Sequence, residues 1–199
     1  MPSLETMRKR CVPEYRKRCS LEDIFTIQNT YFLGYKTMQT WSALYMLENI
    51  LDNNQNIKRI VDIGTGCGGT TLFFGLHMMV RNGQVLSFDI YERQLKGWSG
   101  LAEFLNVSFI NQNVFTEQSK TQIQKFIKDD RALVFCDGGK KTSELNIFSK
   151  IIKPNDLLLV HDLGKEIKWS DIEKLEGVEL YRQIEFNALK TKILSLRKK

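Results

Sequence analysis

The chain has 199 residues, 42% of them hydrophobic and 11% aromatic, which suits one domain with one sizeable core. No apolar run approaches the roughly 20 residues of a membrane span, and the basic start Arg8-Lys9-Arg10 lacks the apolar stretch of a signal peptide; a cytoplasmic protein without membrane contact is the expectation. The net charge of +6 is local: residues 1–20 carry six basic and two acidic side chains, 197–199 are all basic, and the remainder balances at 20 against 21. The ends could meet nucleic acid through its phosphates or could simply be solvated termini. Cys11, Cys19, Cys67 and Cys136 lack C-x-x-C spacing, so reduced thiols are expected, with neither a disulfide framework nor a zinc site.

Residues 1–20 therefore read as a basic arm and 21–199 as a single domain whose first part, 21–54, is a helical cap. Within it Thr37 or Thr40 is a plausible helix cap, and Trp41, Leu44, Tyr45, Leu47, Glu48 and Leu51 separate into an apolar stripe and a polar face. Ile60, Val61 and Ile63 make a central strand. Thr70 to Val80 continues as an amphipathic helix that Gly83 terminates. Gln84 to Ile90 is a second strand, Glu92 to Leu105 a helix, Val107 to Asn111 a third strand and Thr116 to Asp129 another helix. Arg131 to Asp137 and Leu157 to Val160 follow as strands. Ser170 with Glu173 suggests a capping box, and 178–186 with 191–196 read as two strands whose tight connection forces antiparallel pairing. The fold class is α/β: a Rossmann-like doubly wound sheet of five parallel strands plus a C-terminal antiparallel hairpin, with helices on both faces.

The chain is organised around Val61-Asp62-Ile63-Gly64-Thr65-Gly66-Cys67-Gly68-Gly69-Thr70, a buried strand joined to a helix through a loop nearly free of side chains. Such a loop lets a ligand approach the backbone, and the helix behind it presents unpaired N–H groups and a positive dipole end. The spacing differs from the dinucleotide G-x-G-x-x-G pattern. D-x-G-x-G-x-G resembles the first motif of class I S-adenosylmethionine-dependent methyltransferases. Asp89 lies 21 positions beyond Gly68, where nucleotide-binding α/β folds place a carboxylate for ribose hydroxyls.

The resemblance implies that Asp62, Gly64, Thr65, Gly66, Gly68, Asp89, Ile90, Asn113 and Val114 hold S-adenosylmethionine, with Asn113 standing where the family often has an Asp against the adenine. It makes Tyr31, Tyr35, Met38, Gln39 and Trp41 candidates for the pocket wall, although plain core packing is the commoner use of such residues. Asp137-Gly138-Gly139-Lys140 is similar to the D-x-x-K of metal-dependent catechol and caffeoyl-CoA O-methyltransferases, which implies Asp137 as a metal ligand and Lys140 as base. The fifth strand ends in His161-Asp162, a pair that also resembles cephalosporin-hydroxylase-like small-molecule methyltransferases. Asp137, His161 and Asp162 would then bind a divalent metal, magnesium or manganese; the imidazole favours a transition ion over calcium. Without metal, His161 and Asp162 would bond the substrate directly. A lysine base has to lose its proton, which burial or a nearby cation can bring about.

The activity these residues imply is transfer of a methyl group from S-adenosylmethionine to a small-molecule hydroxyl. An RNA or DNA methyltransferase using the basic termini is the alternative, although no N-P-P-Y motif follows the fourth strand. From another class, a non-methylating nucleotide-binding protein or an NAD-dependent oxidoreductase would use a similar loop. The chain is compatible with a homodimer.

Overall fold

A computed structural model describes residues 22–28 and 30–199; the basic arm 1–20 lies outside them. In chain order the elements are α1 (Asp23–Thr26), β1 (Tyr31–Phe32), β2 (Tyr35–Lys36), α2 (Trp41–Asp52), β3 (Ile57–Ile63), α3 (Gly69–Met79), β4 (Gln84–Asp89), α4 (Trp98–Phe104) and β5 (Val107–Asn111). They continue as α5 (Glu117–Ile127), β6 (Arg131–Cys136), α6 (Lys141–Ile151), β7 (Leu157–Val160), α7 (Trp169–Ile172), β8 (Val178–Leu180), α8 (Gln183–Ala188) and β9 (Leu194–Lys198).

One seven-stranded sheet runs in the order β5-β4-β3-β6-β7-β9-β8. Its first five strands are parallel, and β9 pairs antiparallel with both β7 and β8. The near-continuous apolar runs of β6 and β7 follow from burial on both faces, and β3 joins them through Ile60, Val61 and Ile63 in its buried second half. Successive side chains point to opposite sides, so Ile60, Leu133, Phe135, Leu157 and Leu159 join α2, α3 and α4 in one core. Val61, Ile63, Val134, Leu158 and Val160 join α5 and α6 in the other. Phe74, fully buried on α3, meets Phe135 edge-on at 5.5 Å, a geometry that adds to simple area burial.

The chain leaves β3 through α3, β4 and α4 to β5, then returns across β3 to β6. This reversal sits at the carboxyl ends of β3 and β6, the place where open α/β sheets bind ligands. Thr40 caps α2 by accepting from the Ala43 N–H at 3.1 Å, and Thr116 caps α5 from Ser119 N–H at 3.2 Å.

Several sequence expectations change. Residues 21–54 are not helical throughout, because Tyr31–Phe32 and Tyr35–Lys36 form an antiparallel hairpin over Leu33-Gly34. Both turn residues have positive φ (50° and 83°), as a two-residue primed turn needs. Asn82 (φ 54°) takes the left-handed position after α3 that was assigned to Gly83. The helix before β5 starts only at Trp98, behind Gly97 in the left-handed region. The cap of α7 is shifted: Asp171 accepts from the Lys168 N–H at 2.9 Å.

The last two strands do pair antiparallel, but α8 fills their connection, so the residues 183–186 expected in a strand are helical. The buried Gln183 fixes this arrangement, donating to Ile193 O and accepting from Ser195 N–H. Cys67 is disulfide-bonded, whereas Cys136 is a buried free thiol. The expectation of reduced cysteines therefore fails at the glycine loop. Among the described residues no helix is long and apolar enough to cross a membrane.

Candidate active site

A cavity of about 600 Å³ opens at the switch point, lined by the β3–α3 loop, the ends of β4, β6 and β7, and Asn113, Val114 and Phe115. Its two halves differ in chemistry. One is a backbone-rich cradle and the other a cluster of charged side chains.

The cradle rests on Asp62, which is 1% exposed and accepts from the hydroxyls of Thr71 (2.5 Å) and Ser87 (2.9 Å). Burial is the main reason its carboxyl is pushed up to about 6, with repulsion from Asp137 and Asp89 adding to it against the two hydroxyls. At Gly64 (φ 97°) a Cβ would collide with the Asp137 backbone, which ties the loop to the end of β6. At Gly68 (φ 87°) a Cβ would overlap the Trp98 indole, whose Nε1 donates to Gly68 O at 3.1 Å.

Asp89 closes this half. Its Oδ2 accepts from Gly66 N–H at 2.9 Å and from Arg93 at 2.9 Å, and its Oδ1 accepts from Tyr91 N–H at 3.1 Å. Asn113 accepts from Phe115 N–H through its side chain, and its own carbonyl takes the Thr116 N–H and the Ser119 hydroxyl. The Val114 N–H has no acceptor among the described residues. Ile90 lines the cavity and is 55% exposed.

The charged half gathers at the ends of β6 and β7. Asp137 Oδ1 lies 2.9 Å from Lys141 Nζ and 3.3 Å from His161 Nδ1, and its Oδ2 accepts from Gln39 Nε2 at 2.7 Å. Asp162 Oδ1 is 3.6 Å from the same imidazole nitrogen. Burial by itself would raise Asp137, but His161 and Lys141 outweigh it and hold the carboxyl below its usual range. Burial likewise opposes charge on His161, yet the two carboxylates lift it to about 9. The His161 imidazole, 3.6 Å away, brings Asp162 down to about 2.

Asp162 adopts φ 67°, a left-handed conformation uncommon outside glycine. Its carbonyl accepts from the N–H groups of Lys165, Glu166 and Ile167, which pins the turn after β7. Glu144, on the first turn of α6, accepts from Gly138 and Lys140 N–H at 3.2 Å each and so fixes the loop after β6.

A sequence profile of FtsJ-like methyltransferases matches residues 42–181. The chain belongs to that family. It is a class I, S-adenosylmethionine-dependent methyltransferase. No curated protein matches it in sequence. Its fold is similar to that of CmcI in an apo structure, at 10% identity, 93% coverage of this chain, 86% of the other and a TM-score of 0.72. A structure of CmcI with magnesium and S-adenosylmethionine gives 11%, 94%, 87% and 0.65. One with S-adenosylhomocysteine gives 12%, 93%, 94% and 0.65.

All the residues expected to hold the methyltransferase cofactor surround one cavity except Gly68, which shapes the loop from behind. Asp137, His161 and Asp162 present donor atoms within 4.8 Å of one another. Lys140, expected as the base, lines the cavity from an exposed position with its Nζ 6.0 Å from the Phe115 ring centroid, and Lys141 beside it reaches Asp137. Of the expected pocket-wall residues, Met38 lines the cavity in a left-handed conformation (φ 58°) and Gln39 bonds Asp137. Trp41 is 51% exposed, and Tyr35 turns its hydroxyl to Lys96 O at 3.4 Å.

The sequence reading missed Thr71 and Ser87 beneath Asp62, Arg93 on Asp89, and Glu144. Arg93 carried no sequence signal, since a four-residue spacing marks a pair only along a helix and Asp89 ends a strand.

Proposed function

We propose that this methyltransferase transfers the methyl group of S-adenosylmethionine to a hydroxyl of a small-molecule acceptor. The observation that carries the reading is the Asp137–His161–Asp162 group opening on the same cavity as the glycine loop. An oxygen acceptor has a proton to lose, and a cavity of about 600 Å³ has the size of a small-ligand site. CmcI, a fold relative, holds S-adenosylmethionine in one of its structures, which supports the cofactor part of this reading.

In this reading the Gly64–Gly68 loop holds the methionine part of the cofactor, and Asp89 takes the ribose hydroxyls beside or in place of Arg93. The Val114 N–H and the Asn113 side chain meet the adenine. The acceptor oxygen attacks the methyl carbon in line with the sulfur. The O–C bond forms as the S–C bond breaks, and the electron pair stays on sulfur as the thioether. Holding the three atoms in line can supply about 7–11 kcal/mol of the barrier.

The hydroxyl proton passes to the neutral imidazole of His161, which Asp137 and Asp162 orient. Because only the neutral form accepts a proton, turnover rises with pH towards the His161 value of about 9.

A divalent metal at Asp137, His161 and Asp162 fits in donor count and in the mutual distances of the donors. It does not fit in charge, because the Lys141 ammonium already lies 2.9 Å from the Asp137 oxygen that such an ion would need. The proton transfer above runs through side chains alone.

The test combines S-adenosylmethionine labelled on its methyl group with a panel of catechols, phenols and aliphatic alcohols. Label is expected on oxygen. Asp89→Ala should lose calorimetric binding of S-adenosylhomocysteine, whereas His161→Gln should keep binding and lose turnover. Label on nitrogen or on RNA, or wild-type protein that binds no S-adenosylhomocysteine, refutes the reading.

A further inference from the structure

Lys141 is the first residue of α6 and follows Asp137 by four positions. It is 4% exposed, which is unusual for a lysine without a specific partner. Its Nζ meets Asp137 Oδ1 at 2.9 Å, donates to the Gly138 carbonyl and stands 4.0 Å from Asp162 Oδ2. Both carboxylates of the three-donor cluster therefore already face a fixed cation. The other Asp137 oxygen is taken by Gln39 at 2.7 Å, from an amide with no solvent exposure. An ion bound at about 2.0–2.2 Å from these carboxylates would sit within a few ångströms of the ammonium.

We propose that the Lys141 ammonium occupies the place of a divalent cation in this site and points its remaining N–H at the acceptor oxygen. This rests on the hydroxyl-methylating reading above. Three N–H donors are available to the ammonium; Asp137 and Gly138 take two, and Lys141 lines the cavity. The third stabilises the negative charge that develops on the acceptor oxygen as its proton leaves. A point charge of this kind needs only one oxygen, whereas a metal is best held by two oxygens of a chelating acceptor. Isolated hydroxyls are therefore acceptors as good as vicinal diols.

The experiment is titration of full-length protein, saturated with S-adenosylhomocysteine, with Mn²⁺ read by electron paramagnetic resonance. A His77→Ala background removes the second cluster of potential ligands, Glu48, Asp52 and His77. The parent should show no Mn²⁺ bound through Asp137 and Asp162. Lys141→Met should bind Mn²⁺ at least about tenfold more tightly, the least that removing one ammonium a few ångströms from a doubly charged ion implies even under water-like screening. A further Asp162→Asn change should abolish the gain.

Tight Mn²⁺ binding by the parent that Asp162→Asn removes overturns the proposal, as does a folded Lys141→Met protein that binds no more tightly than the parent. The parent measurement stands even where Lys141→Met fails to fold. The readout involves no methyl transfer, so a protein that gains Mn²⁺ as described yet methylates no hydroxyl refutes the function proposed above and leaves the cation assignment intact.

Discussion

Asp62 is a carboxylate kept at a cost to stability, and the cost can be measured. It is 1% exposed and its carboxyl titrates at about 6 in place of 3.8, chiefly because burial disfavours the charged form. The folded state therefore binds its proton more tightly than the unfolded chain does. With a folded value above the unfolded one, stability falls as pH rises from about 4 through 6, and the loss is complete above that range. At about 1.4 kcal/mol per pH unit the cost at neutral pH is about 3 kcal/mol.

Asp62→Asn removes the charge and keeps a carbonyl that can accept from Thr71 and Ser87. The variant should match or fall slightly below the wild type near pH 4 and exceed it by about 3 kcal/mol at pH 7.5. For a domain of this size that is roughly 6–12 °C in melting temperature. Urea unfolding of both proteins at several pH values measures the difference directly, and S-adenosylhomocysteine titration should show weakened binding in the stabilised variant. A stability difference that does not change between pH 4 and 7.5 would refute the burial argument, and unchanged cofactor affinity would remove Asp62 from the cradle.

His161 gives a slope of the same sign in a higher pH window. Its folded value of about 9 exceeds the ordinary 6.5 because Asp137 and Asp162 outweigh burial, so its contribution is complete below pH 6.5 and disappears as pH rises through 9. His161→Gln should flatten the fall in unfolding free energy from urea titration between those values, by about 3 kcal/mol, and an unaltered slope would show that the imidazole is not paired as described. Gly68→Ala forces a side chain to φ 87° and into the Trp98 indole. A loss of about 2–4 kcal/mol is expected, and a melting temperature within about 2 °C of the wild type would mean that the loop and Trp98 are not in contact.

The strands and the cofactor loop were legible in the sequence because each is written in local chemistry. β7 falls at the expected residues and β3, β4 and β6 within a few, since strands buried on both faces leave little room for polar side chains; β5, the part-exposed edge strand, also falls at the expected residues. The D-x-G-x-G-x-G spacing and Asp89 likewise announce themselves, because a backbone that must approach a ligand needs glycines at set positions.

What the tertiary structure decided is phase and partnership. Adjacent Lys140 and Lys141 look interchangeable in the chain, yet Lys140 is the non-helical residue before α6 and Lys141 the first helical one. The start of α6, fixed by Glu144 on the loop N–H groups, sends Lys141 inward to Asp137 and leaves Lys140 exposed. The hairpin at Tyr31–Lys36 depends on Leu33 accepting a left-handed conformation, and α8 depends on Gln183 finding Ile193 and Ser195 across a turn. Gln39 reaches Asp137 across 98 residues of chain. Periodicity reports which faces are buried; which charge meets which carboxylate depends on where helices begin relative to strand ends, and only the folded packing sets that.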